Sequence, residues 1–233
     1  MKEKLKLLIK VFRYNQKIIF ANKFIYFLLA AIGFYLLTIT ISLFDDTIFE
    51  LSSLYSITLI PGLLLIFYPA CFGIQNDQDS KIIEILFGIP NYRYKVWLVR
   101  LVMIYFITAI IVFTLILLAN VLLIDMNPLG MLFNLMFPLI LVGNLAFFLS
   151  TFTKSGNGTA VMIIVIGFIF FVLNNTIGES KWNIFLNPYL TNTQTNPMIW
   201  AKLLIYNKIF SASISIVTLF WGLLNMQKRE KFI

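Results

Sequence analysis

Leu101-Val-Met-Ile-Tyr-Phe-Ile-Thr-Ala-Ile-Ile-Val-Phe-Thr-Leu-Ile-Leu-Leu-Ala-Asn-Val-Leu-Leu-Ile124 contains no charged side chain. As a helix rising ~1.5 Å per residue, this stretch is about 36 Å long. That exceeds the ~30 Å hydrocarbon core of a bilayer, so the stretch reads as a membrane-spanning helix. The same reading extends to its neighbours. Phe24–Leu43, Leu51–Ile74, Pro128–Thr153, Ser155–Gly178 and Ile209–Gln227 are also free of charge. Each reaches the ~18 residues that a span requires. The run after Ser155 is the weakest, because its strongly apolar part is only Thr159 to Leu173. The expected architecture is all-α: one polytopic membrane domain over 1–233 with six spans, at about 24–43, 51–74, 97–124, 130–152, 157–175 and 207–226.

Composition leads to the same solvent. The chain is 60% hydrophobic and 12% charged, whereas a soluble domain carries about 25% charged residues. Surface-to-volume scaling leaves a water-soluble fold of this size no way to hide that apolar excess. The net charge of +8 is local. Seven Lys and Arg crowd the first 23 residues, and Lys228, Arg229 and Lys231 close the chain. Basic clusters flanking apolar spans set orientation and touch anionic headgroups, so no nucleic-acid partner is expected. With the N-terminus cytosolic, 15 of the 18 basic residues fall inside, while Asp45, Asp46, Glu50 and Asp125 mark outer loops. Both termini are therefore expected in the cytosol. Residues 1–22 interleave Leu5, Leu8, Ile9, Phe12 and Ile19 with lysines and read as an amphipathic interfacial helix. The first apolar stretch is too long for a cleavable signal peptide.

Several chemistries are disfavoured. The chain has no histidine and a single cysteine, Cys71, so neither a zinc site nor an internal disulfide can be assembled. Ion-coupled transporters place ionisable groups near the bilayer midplane, and the uncharged runs have none. The same lack removes any paired acids for a membrane-embedded enzyme.

The most informative segment joins the second and third spans. It reads Gly73-Ile-Gln-Asn-Asp-Gln-Asp-Ser-Lys-Ile-Ile-Glu-Ile-Leu-Phe-Gly-Ile-Pro-Asn-Tyr-Arg-Tyr-Lys-Val-Trp97. Asp77, Asp79 and Ser80 offer N-cap and first-turn chemistry to a short helix. Ile82, Ile83, Ile85, Leu86 and Phe87 supply its apolar side, Lys81 and Glu84 its polar side. Gly88 and Pro90 stop it. Tyr92, Arg93, Tyr94, Lys95 and Trp97 then form a basic-aromatic belt of the kind found where a chain re-enters a membrane.

This loop resembles that of the type-2 ABC exporter permeases. In that family an acidic stretch leads to a Thr-Leu-Glu element, a Leu pair, a Pro-x-x-Arg turn and a basic residue seven positions on. Here the matching residues are Ile82-Ile83-Glu84, Ile85-Leu86, Pro90-Asn-Tyr-Arg93 and Arg100, with Lys81-Ile82 where the family carries Gly-Thr. The resemblance extends along the chain: an amphipathic start, six spans, a long outer segment and a basic tail. It implies a cytosolic coupling helix seated in a cleft of a separate ATPase subunit, with Asp79, Glu84, Phe87, Pro90, Arg93 and Arg100 as ATPase-coupling residues. Glu84 and Arg93 would pair across that interface while Ile85 and Phe87 fill a pocket. It also implies export, a second permease copy or a homologous partner, and location in a bacterial cytoplasmic membrane.

No Gly-rich loop ending in Lys-Ser or Lys-Thr occurs, and Gly156-Asn-Gly158-Thr159 has no lysine to reach a phosphate. Catalysis and cofactors are therefore expected outside this chain, with ATP and Mg²⁺ on the partner. Ser211, Ser215, Thr218 and Gly222 share one face of the last span, a translocation face or a packing face. Pro61, Pro69 and Pro138 lie inside spans. Asn174 to Asn207 is expected to be the longest outer segment, with an amphipathic-looking Trp200–Tyr206; the resemblance implies short helices there, and a surface loop anchored by tryptophans is the alternative. The 24 phenylalanines favour an amphipathic or lipidic cargo. A non-transporting scaffold or sensor subunit is the competing reading, and the presence or absence of an ATPase partner separates the two.

Overall fold

The computed structural model describes residues 23–44, 50–81, 88, 91–190 and 196–227. The predicted interfacial helix (1–22), the predicted coupling helix (82–87), Asp45, Asp46 and the basic tail lie outside the described residues. Every described element is helical: α1 (Phe24–Phe44), α2 (Leu51–Asp79), a π-helical entry (Arg93–Leu98) continuous with α3 (Val99–Leu122), α4 (Pro128–Thr153), α5 (Gly156–Val172), the single turn α6 (Asn174–Ile177) and α7 (Pro197–Asn225). Five of them are long and apolar enough to cross a membrane, which makes this a multi-pass membrane protein. At 17 residues, α5 is shorter, about 26 Å at ~1.5 Å per residue.

Local chemistry sets most boundaries. Asn127 caps α4 by accepting from the Gly130 N–H at 3.1 Å, with Pro128 at the first helical position. Asn196 and Pro197 repeat the device at α7, where Asn196 Oδ1 accepts from the Met198 N–H at 3.0 Å. Between α4 and α5 the turn is tight. Lys154 takes a left-handed φ of 58° to end α4, and Ser155 Oγ accepts from the Gly158 N–H at 3.3 Å to start α5. Gly156 then sits hard against the Phe72 ring, where no β-carbon fits.

Two boundaries differ from the sequence reading. The second helix continues five residues beyond Ile74, so Asp77 and Asp79 belong to its C-terminal turns and do not open a new helix. Ser80 Oγ donates to the Asn76 carbonyl at 2.6 Å, closing that helix from behind. The last helix begins at Pro197, ten residues before the predicted span, and absorbs Trp200–Tyr206 as its first turns. Lys202 and Lys208 are therefore helical residues. The Lys208 ammonium lies 5.1 Å from the Phe133 ring centre and 5.7 Å from that of Phe137, so α4 aromatics offset its charge.

The core is organised around α2. About 67% of its most apolar stretch is buried, against 17% for α1 and 22% for α7, whose flanks are left for lipid. Pro61 and Pro69 are both buried inside it, each removing one rung of the hydrogen-bond ladder. Tyr35 Oη of α1 donates to the Leu115 carbonyl of α3 at 2.9 Å, a polar tie between two otherwise greasy helices. The most extensive helix pairing is α4 with α7.

The helices alternate in direction, so the molecule has two ends. At the loop end meet the C-terminus of α2, the start of α3, the α4–α5 turn and the C-terminus of α7. Here Gln75 Oε1 accepts from the Gly156 N–H at 2.6 Å, and Asn225 Nδ2 donates to Thr151 Oγ1 at 3.2 Å. The far end is covered by residues 178–190. Asparagines pin this cover: Asn187 Nδ2 donates to the Ser52 carbonyl at 2.7 Å, and Asn207 Nδ2 to the Asn183 carbonyl at 2.7 Å. Asn134 Nδ2 reaches Tyr189 Oη at 3.1 Å.

Candidate functional site

A helix C-terminus presents unpaired carbonyls and a partial negative charge, so acidic side chains there are unfavourable unless compensated. The last turns of α2 carry two, Asp77 and Asp79. Asp79 is exposed at the loop end. Asp77 is only 3% exposed, and compensation comes from α3: Arg100 Nη1 donates to Asp77 Oδ2 at 2.9 Å. Both side chains are enclosed by protein. The Arg100 guanidinium also lies over the Trp97 ring at 4.5 Å, and Trp97 packs against Phe147 of α4 with ring centres 5.9 Å apart. A planar guanidinium serves both contacts at once, as a lysine ammonium could not.

This pair ties the two roots of the loop together. On the outgoing side Lys81 takes φ 55° and its N–H reaches the Gln78 carbonyl at 2.9 Å. On the returning side Asn91 takes φ 57°, and its carbonyl accepts from the Tyr94 and Lys95 N–H groups at 3.0 and 3.2 Å. Left-handed residues thus bracket the loop at both ends. Tyr92 and Trp97 are buried immediately after re-entry, while Tyr94 is 40% exposed, so the belt is split between core and surface. The wide π-helical register from Arg93 to Leu98 precedes Arg100 within the same continuous helix. Such register changes cluster at functional positions.

Among the six residues named from the sequence, Arg100 is buried on Asp77 and Asp79 is exposed. Glu84, Phe87 and Pro90 lie outside the described residues, as does the side chain of Arg93. Gly88 is exposed. Asp77 is the residue that sequence reasoning assigned the wrong task. The available signal was depth: Asp77 stands three residues past one uncharged run and Arg100 one residue before the next, with opposite signs.

The small-residue face of α7 lies against α4. Ser211, Ser215 and Gly222 are buried, and Thr218 Oγ1 donates to the Ile214 and Ser215 carbonyls at 2.9 and 3.0 Å. A β-carbon on Gly222 would stand 2.8 Å from Phe147 Cε1 and 3.4 Å from Phe148 Cα. Ser215 joins a polar chain across three helices. Tyr105 Oη of α3 donates to Asn144 Oδ1 at 2.5 Å, and Asn144 Nδ2 donates to Ser215 Oγ at 2.7 Å and to the Ser215 carbonyl at 3.2 Å. In an apolar surrounding such a chain orients helices, because a slip would leave each member unsatisfied.

Comparison with protein-family models, curated proteins and solved structures finds no match.

Proposed function

We propose that this chain is the membrane-spanning permease subunit of an ABC exporter, coupled to a separate ATPase subunit through the 75–95 loop. The observation that supports this best is the construction of the loop's roots. A buried ion pair, a cation-π contact and two left-handed residues hold the chain where it leaves and re-enters the helix bundle. A push on a loop so held is delivered to α2 and α3 as a rigid-body displacement.

On this reading the loop end faces the cytosol of a bacterial cell, in agreement with the placement of basic residues. Residues 1–22 lie in the inner interface, and α5 with the far-end cover acts as the sixth span. Two permease copies, or one copy and a homologue, share the path with two ATPases that hold ATP and Mg²⁺. The cargo is amphipathic or lipidic, in keeping with an interior free of midplane charge. Glu84 and Arg93 pair with the ATPase while Phe87 fills its cleft.

The test is purification from the native membrane followed by charge reversal. The chain alone should hydrolyse no ATP, and a soluble ATPase should co-purify with it. Glu84→Lys and Arg93→Glu should each insert normally but weaken that complex by ~2–5 kcal/mol, since each strands a desolvated partner charge. Should both variants retain the ATPase and its turnover, the loop is not the coupling element. Absence of any ATPase partner would favour a scaffold or sensor subunit.

A further inference from the structure

Midway through the bundle, beneath the far-end cover, lies a cavity of about 170 Å³. Its walls come from α2, α4, α5 and the cover, among them Phe67, Val142, Ile163, Gly167, Ile184 and Phe185. Every lining side chain is hydrocarbon, and Gly167 adds none. Water needs two to four polar partners to occupy a buried site, and a cavity of this size lined by such residues stays dry and takes apolar guests. Val142 stands at the middle of α4, so the cavity sits at mid-depth in the apolar helices. Phe185 of its wall packs edge-on against Phe170, with ring centres 6.3 Å apart. Toward the flank of α5 it is open. Ile164 at its rim is 61% exposed, and a β-carbon on Gly167 would touch nothing within 4 Å. The surroundings at that depth are acyl chains, which have the right chemistry and are present in excess.

We propose that this cavity binds one acyl chain of a membrane lipid, which enters along the Ile164–Gly167 flank of α5 and ends against Phe67 and Phe185. This inference stands apart from the export reading, because it rests only on the cavity's lining, depth and side opening.

The experiment uses the full chain in phosphatidylcholine vesicles in which one acyl chain carries a photoactivatable diazirine near its terminal methyl. Crosslinked sites are mapped by mass spectrometry. Crosslinks should concentrate on the peptides containing Phe67 and Phe185. Gly167→Leu obstructs the opening at the α5 flank, and Ile184→Phe fills the space from the cover. Each should abolish those crosslinks, while Val161→Leu on the exposed face of α5 should leave them unchanged. Because the two filling variants enter from different elements, poor folding of one leaves the other to decide. Crosslinks spread evenly over the exposed apolar faces, or undiminished in the folded filling variants, would show a lipid shell only and overturn the proposal. Crosslinks absent because a second copy of the chain covers the α5 flank would overturn it as well.

Discussion

At the scale of single residues, Asp77 and Arg100 are enclosed charges that depend on each other. Removing one charge leaves the other enclosed without a partner, which costs ~3–5 kcal/mol. Asp77→Asn and Arg100→Leu should therefore each lower the unfolding midpoint in detergent micelles sharply. Asp77→Leu combined with Arg100→Met should recover most of the loss, since two apolar side chains need no mutual compensation. Single variants that unfold like the parent would show the pair to be energetically idle. Arg100 was visible in the sequence as a basic residue at fixed spacing after Pro90, but its partner was not. A sequence shows that an aspartate can cap a helix start. It does not show whether the preceding helix has already ended, and here α2 ran on through Asp77. Propensity at Gln75–Asp79 is neutral, and the outcome was decided by Arg100 arriving from α3.

Among elements, the α4–α7 seam is the most demanding contact. Gly222→Leu should cost ~1–3 kcal/mol through overpacking, because the new β-carbon would stand 2.8 and 2.9 Å from the Phe147 ring, which is itself buried against Trp97. Asn144→Leu should cost less, about 0.6 kcal/mol, the average measured for a hydrogen bond between membrane helices, with about 1.7 kcal/mol the largest. Equilibrium unfolding of the two variants in one detergent would check the order, and a larger loss at Asn144 would contradict it. The apolar runs marked the existence of the helices well, since burying a backbone in lipid leaves little alternative to helix. Their ends were marked less well. Charged turns such as Gln75–Asp79 and the Lys202 region are helical because neighbouring elements cover or neutralise them, and composition carries no record of neighbours. Nor did the runs disclose the α3–α4–α7 polar chain, since Tyr105 and Asn144 are unremarkable alone and Ser215 read only as one of a small-residue face.

For the whole molecule, the proposed orientation makes a direct prediction. Cys71 is buried at 1% exposure, so the parent should be silent to a membrane-impermeant maleimide. New cysteines at Lys81 and Asn91 should then react only when the reagent reaches the cytosolic side, and one at Asp46 only from outside. Reaction of Asn91→Cys from outside would invert the topology and remove the loop from reach of any cytosolic ATPase. The short α5 has a separate consequence. Its outward side chains, Val161, Ile164, Val165, Phe168 and Phe171, lie on a helix only about 26 Å long, against a hydrocarbon layer of ~30 Å if α5 is the sixth span proposed above. On that reading, lipid next to the α5 flank would thin to match, while lipid around the longer α2 and α4 would not. With α5 as a span, the protein would carry a dent in the bilayer on one side only, and hydrophobic mismatch would make the depth of that dent depend on lipid length. Membranes of long-chain lipids would strain it most at α5, drawing short-chain lipids or a second mismatched surface toward that flank.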